Sequence, residues 1–164
     1  MSKIYVDEIL PKDNAKITAA DLQLPAGSVI QTVSSVTTSN VTVSSTTKTS
    51  LGCSVSITPS SPSSKIFIVF HGHHSSGADK AEFWIERDGT ALTSNVWIFD
   101  LVSGNEQFNP RNVSATHIDT PNTTSTVTYD VTGREHGGAS ITFNGRTYAS
   151  GHYGSRLTVM EIAQ

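Results

Sequence analysis

The chain is expected to fold as an all-β, antiparallel, jelly-roll-like β-sandwich with a short N-terminal arm. Three observations predict this. Short runs of Val, Ile, Phe, Tyr and Trp alternate with Ser and Thr along most of the 164 residues, the pattern of strands with one buried face. Turn-forming Gly, Pro, Asn and Asp clusters recur between those runs. No stretch of ordinary helix length shows a 3.6-residue apolar period.

The strands are read in order from Ser28. SVIQTVSSV (28–36) is the first, and a short one at 41–45 precedes KTSLGCSVSIT (48–58), in which Leu51, Cys53, Val55 and Ile57 share one face. PSSPSS is a turn. KIFIVF (65–70) is apolar on both faces and is therefore placed centrally, followed by an HHSSGADK loop. AEFWIER (81–87) runs into Asp88-Gly89, a tight hairpin signal. Segments 95–102, 115–119, 125–132, 139–143, 146–149 and 156–162 complete the series, with turns at SGN, DTPN, GREHGG and NG. About nine strands without helices favour a jelly-roll sandwich.

Residues 1–27 read differently. Lys3, Asp7, Glu8, Lys12, Asp13, Lys16 and Asp21 concentrate charge there, and Pro25 and Gly27 interrupt the chain before the first body strand. The boundaries are thus 1–27 for an arm and 28–164 for the body. IYVDEIL places apolar side chains at Ile4, Val6 and Ile9, suited to adding a strand to the edge of a neighbouring sheet. The arm is read as an attachment segment. The alternative is that it lies across a neighbouring subunit.

Composition excludes several functions. Charged residues make up 15 % of the chain and the net charge is -3, with no Lys/Arg cluster, so the basic face a nucleic-acid binder needs is missing. No apolar run is long enough for a membrane span, and no secretory leader is read. Cys53, the one cysteine, sits in a strand-like run and is read as a small buried hydrophobe.

Chemistry-bearing residues are weighed one group at a time. His71 and His73 fall on one strand face, two residues apart, and imidazoles there are weak candidates for a metal collected around a threefold axis. A polar strand end is the preferred reading, and no cofactor is expected. Asp79, Asp88, Asp119 and Asp130 are taken as turn acids that cap backbone groups. Trp84 and Trp97 are assigned to the core. Tyr148, His152 and Tyr153, in the Gly-rich RTYASGHYGSR stretch, are the candidate ligand-binding residues. Glu82 and Glu86, the sequence pair a glycosidase would use, are expected to face solvent. Ser, His and Asp are present without a Gly-x-Ser-x-Gly elbow, and no catalytic residue is assigned.

Five pieces in order, IYVDEI with LPAGSVIQ, SVSITPSSPSSKIFIVF, RDGTAL, IDTPNTTSTVTYDV and LTVMEIAQ, resemble small phage virion appendage proteins of the tail-fibre-like, marine and cyanobacterial type. The resemblance implies a homotrimeric, non-enzymatic virion protein, made in the host cytoplasm. The arm would hold it to other virion proteins, and its loops would be presented for recognition of a host-surface glycan. Alternatives are a purely structural head or tail decoration protein and a glycan-processing module.

Overall fold

A computed structural model describes residues 24–76, 80–92, 96–98, 111–136, 140–144 and 154–164. Among them are eleven strands and no helix: β1 (Val29–Thr37), β2 (Val41–Val43), β3 (Thr49–Ile57), β4 (Lys65–Ser76), β5 (Lys80–Arg87), β6 (Thr90–Ala91), β7 (Val96–Ile98), β8 (Arg111–Asp119), β9 (Val127–His136), β10 (Ile141–Phe143) and β11 (Ser155–Ile162). They form two antiparallel sheets, as expected of a β-sandwich.

Each edge of a strand accepts one neighbour, and this fixes the layout of the first sheet. His71 of β4 is partnered by Arg156 and Ser114, and His74 by Phe143 and Arg111. β8 therefore covers one edge of β4 along its length. β11 and β10 follow one another along the other edge. β1 pairs with β11 and β2 with β10, so β1 and β2 act as one interrupted outer strand. The second sheet runs β3–β9–β5, with β6 and β7 sharing the outer edge of β5.

The pairing is nested. Among the described strands the first pairs with the last (β1 with β11), β3 with β9, β4 with β8, and β5 with β6 and β7. Successive pairs fall in alternate sheets. The core lies between the sheets, where Leu51, Ile66, Ile68, Phe70, Ile85, Tyr129, Phe143 and Leu157 are among the fully buried side chains. The period-2 burial of β3 places Leu51, Cys53, Val55 and Ile57 inward, as their spacing predicts.

The central position of KIFIVF holds, but β4 continues through the histidines to Ser76 where a loop was expected. β8 likewise begins at Arg111, not at Ala115, because it follows β4 over that added length. The first four residues of the expected GREHGG turn are strand instead. Gly133 to His136 extend β9, paired with β5 from Phe83 to Lys80. Gly133 suits this strand: a Cβ there would stand 3.2 Å from Leu51 and from Phe83, so the small residue leaves room for these two side chains of the flanking strands β3 and β5. The Asp88-Gly89 hairpin is as predicted. Arg87 pairs with Thr90, and φ is 49° at Asp88 and 78° at Gly89, the two positive angles of a type I′ turn. Strand β6 beyond it was not anticipated. The expected strand at 146–149 lies outside the described residues.

Burial pushes the Cys53 thiol up to about 11, so almost no thiolate exists at neutral pH. The folded protein is expected to leave Cys53 unmodified by a thiol-reactive disulfide reagent over an hour, and to titrate one thiol in denaturant. Rapid reaction of the native protein would contradict that environment.

Candidate functional site

The sandwich has two dissimilar ends. At one, β1 starts and β11 finishes: Gly27 N–H donates to Ala163 O (2.8 Å) and Ala163 N–H to Ser28 O (2.9 Å). The 58–64 turn and the Asp88-Gly89 turn lie at this end too, since β3 ends and β4 begins there. At the opposite end β4 leads into β5, β7 into β8, and β9 into β10. The registers agree, because Ser76 is opposite Ile141, Lys80 opposite His136 and Arg111 opposite His74.

Near this second end the described residues stop at Asn144, just past β10, and resume at Gly154, just before β11. Buried polar groups build the neck between these two points. Asn144 has φ 57°, a left-handed conformation that Asn tolerates better than most residues. Its backbone N–H donates to His73 O (3.1 Å) and its Nδ2 to Ser39 O (3.1 Å), while its Oδ1 accepts from Ser155 Oγ (2.5 Å). Asn144 thus ties the break between β1 and β2, the edge of β4 and the start of β11 together. Both Asn144 and Ser155 are buried. Gly72 makes room for them. A Cβ at that position would stand 2.5 Å from Ser155 Oγ and 2.7 Å from Phe70 Cζ.

The segment bounded by this neck contains Tyr148, His152 and Tyr153, which lie outside the described residues. So do Ile4, Val6 and Ile9 of the arm, and Asp79. The sequence marks the neck only through the Asn144-Gly145 turn signal. Nothing in the spacing of Asn144, Ser155 and Gly72 announces that they meet.

His71 and His73 do share the outer face of β4, with ring centroids 5.3 Å apart in an edge-on arrangement. Arg156 is the cross-strand partner of His71, and a guanidinium one strand away disfavours a further cation. His74 points inward, its ring 5.9 Å from Phe83 and 6.1 Å from Phe143. Among the described residues no three His, Cys, Asp or Glu side chains converge as a metal-ligand group.

Glu82 and Glu86 do not face solvent as expected; both are buried. They lie on the outer face of the second sheet beside Trp84. Glu82 pairs with Arg134, and Glu86 with Lys48 (2.7 Å). The same cations cover the indole: Lys48 Nζ is 4.4 Å and Arg134 Cζ 5.2 Å from the Trp84 ring centroid. Along the row Glu82–Arg134–Trp84–Lys48–Glu86, ion pairs and cation–π contacts shield one another. Trp84 is therefore buried, as expected, but outside the inter-sheet core, because its neighbours Phe83 and Ile85 take the inward positions. For Trp97 the register alone is described, opposite Glu82.

The turn acids divide. Asp88 does cap backbone: its Oδ1 accepts from Thr128 N–H (2.9 Å). Asp130 accepts from Ser50 Oγ (3.0 Å). Asp119 is instead a buried ion-pair partner. Its carboxylate takes both contacts from Arg87 Nη1 (2.8 and 2.7 Å) and accepts from Tyr129 Oη (2.7 Å). Burial, then the hydrogen bond to Asp119, drives the Tyr129 phenol far above its ordinary value, so it stays a donor. Facing inward from the end of β8 explains why a turn-proximal Asp behaves this way.

No protein-family model matches the chain, and no curated protein matches it. Among the described residues no helix is long and apolar enough to cross a membrane.

Proposed function

We propose that this chain is a non-enzymatic phage virion protein of the tail-fibre or appendage type: a homotrimer whose arm (1–27) ties it to other virion proteins and whose loops meet a host-surface glycan. The observation that carries this reading is the separation of the two ends. The arm joins the body beside the end of β11, while the described residues that flank the stretch holding Tyr148, His152 and Tyr153, Asn144 and Gly154, lie nearer the other end. A body anchored at one end with connecting segments at the other suits recognition, because loops on a fixed scaffold can change without disturbing it. Residues 28–164 are read as a jelly roll. The nested pairing supports this, since a long hairpin whose paired arms are rolled into alternate sheets gives that order. The order of sequence pieces named above supports the virion assignment.

The test is placement and binding together. Gold-labelled antibody on intact particles is expected to mark the tail. The Tyr148→Ala, Tyr153→Ala double variant is expected to lose at least tenfold in binding to host cells or an array of host glycans with its unfolding midpoint unchanged. Label spread over the head with no glycan binding would replace this reading by that of a structural decoration protein. Turnover of host polysaccharide would replace it by a glycan-processing one.

A further inference from the structure

We infer that residues 4–10 of one copy add as a strand to the outer edge of β8 in the next copy, linking copies head to tail. This rests on the proposed homotrimer; for residues 4–10 it takes the alternative in which the arm lies across a neighbouring subunit, leaving contacts with other virion proteins to the rest of residues 1–27.

The acceptor is the feature that asks for a partner. β8 is nine residues long and, among the described residues, pairs on one edge only, with β4. Apart from the inward-pointing Asp119 at its end, the described residues of this strand carry few of the devices that keep exposed edges from pairing. There is no Pro and no Lys in Arg111–Asp119, its pairing to β4 runs without a register shift, and the residues between its two charged ends are Asn112, Val113, Ser114, Ala115, Thr116, His117 and Ile118. Ile118 is 60 % exposed, the most exposed large hydrophobic side chain of the described residues. Beside it on the outer face lie half-buried Phe67 and, one strand further, Met160. That face holds Lys65 and Arg156 and, among the described residues of β4, β8 and β11, no carboxylate: Asp119 and Glu161 turn inward.

The donor matches in chemistry and position. Ile4-Tyr5-Val6-Asp7-Glu8-Ile9-Leu10 is apolar with two acids and no cation, so it complements both the apolar strip and the Lys65/Arg156 charge. A second copy's own β8 face would set like charges together. Strand addition also gives the arm's backbone groups partners. The chain is followed from Leu24, and it joins the sheet at β1, the edge opposite β8. Reaching its own β8 would mean crossing the sheet, whereas a neighbour's β8 is met directly. Residues 11–23 extend to at most about 45 Å, ample for the step between copies. Donor and acceptor at opposite edges make a heterologous contact, which closes into a ring when the rotation allows. The proposed trimer is one such ring.

The full chain carrying a photo-crosslinking amino acid at Thr116 is refolded as an equal mixture of ordinary and 15N-labelled copies, irradiated and digested with trypsin. The expected product joins the peptide containing position 116 to the peptide 4–12, with about half of the pairs mixed in isotope. Pairs of one isotope only would place the arm on its own body and overturn the inference. So would crosslinks that never include residues 4–12. A second measurement guards against a disturbed edge: Val6→Asp, outside the described body, is expected to convert the oligomer to monomers at micromolar concentration. A Val6→Asp protein that remains trimeric overturns the arm contact and leaves the trimer standing. A full-length chain that is monomeric overturns both.

Discussion

Asp119→Ala is expected to lower the unfolding free energy by about 3 kcal/mol or more, measured by urea denaturation, the cost typical of breaking a buried pair from one side. The reason is what stays behind. Arg87 would keep its guanidinium between the sheets without a counter-charge, and Tyr129 Oη would lose its acceptor. Only 8 % of the Asp119 side chain and 27 % of that of Arg87 are exposed, so water repairs little. Tyr129→Phe removes one donor and leaves the pair intact, and about 1 kcal/mol is expected. A loss in Asp119→Ala no larger than in Tyr129→Phe would mean that the ion pair contributes nothing beyond the phenol contact.

Glu161→Gln is expected to cost about 2 kcal/mol at neutral pH and to flatten the acid limb of the stability profile. Glu161 is fully buried at the end of β11. Its carboxylate accepts from Gln31 Nε2 (2.6 Å), Ser60 N–H (2.8 Å), Ser60 Oγ (2.7 Å) and Ser64 Oγ (2.7 Å). The group thereby fastens the 58–64 turn and β1 to the last strand. An amide would turn a donor toward groups that all donate. Burial pushes this carboxyl up, but the four donors together outweigh burial and hold it below its ordinary 4.5. A depressed folded value stabilises above pH 4.5, and that contribution is lost as pH falls through the folded value. Asp130 has the opposite sign. Burial raises it from 3.8 against the hydrogen bonds from Ser50 and the Val131 backbone, so its contribution falls as pH rises from 3.8 through the folded value. Glu161→Gln should therefore lose the acid-side drop and keep the Asp130 slope. A variant whose profile parallels the parent from pH 3 to 6 would assign acid sensitivity elsewhere.

The parts of the fold legible in the sequence are those governed by local periodicity. Alternation in β3, two-sided apolarity in KIFIVF and the Asp88-Gly89 turn each depend on neighbours in the chain. The strand ends that were misplaced, at Phe70, Ala115 and Thr132, are set by partners far away: polar His71 to Ser76 stay extended because β8 holds one edge as far as His74 and β10 takes the other from His74 to Ser76. Glu82 and Glu86 were misread for the same reason, since their burial depends on Arg134 and Lys48 arriving from other strands. In the candidate site, the Gly-rich segment and its aromatics could be singled out by composition. The Asn144–Ser155–Ser39 neck could not, because three ordinary polar residues acquire meaning only when β10, β11 and the β1–β2 break converge.

The nested pairing also sets the order in which this protein can be finished. β1 leaves the ribosome before the other described strands, yet its sheet neighbour β11 is the last of them made. Throughout synthesis β1 waits with bare edges, and so does β3 until β9 arrives. Contacts this distant along the chain make folding slow, and waiting strands are vulnerable to pairing with other nascent chains. Thr32 and Ser34 on the exposed face of β1, and Ser50, Ser54 and Ser56 on that of β3, keep those strands soluble during the delay. A truncated messenger lacking β11 would therefore yield a product that aggregates rather than a smaller folded body.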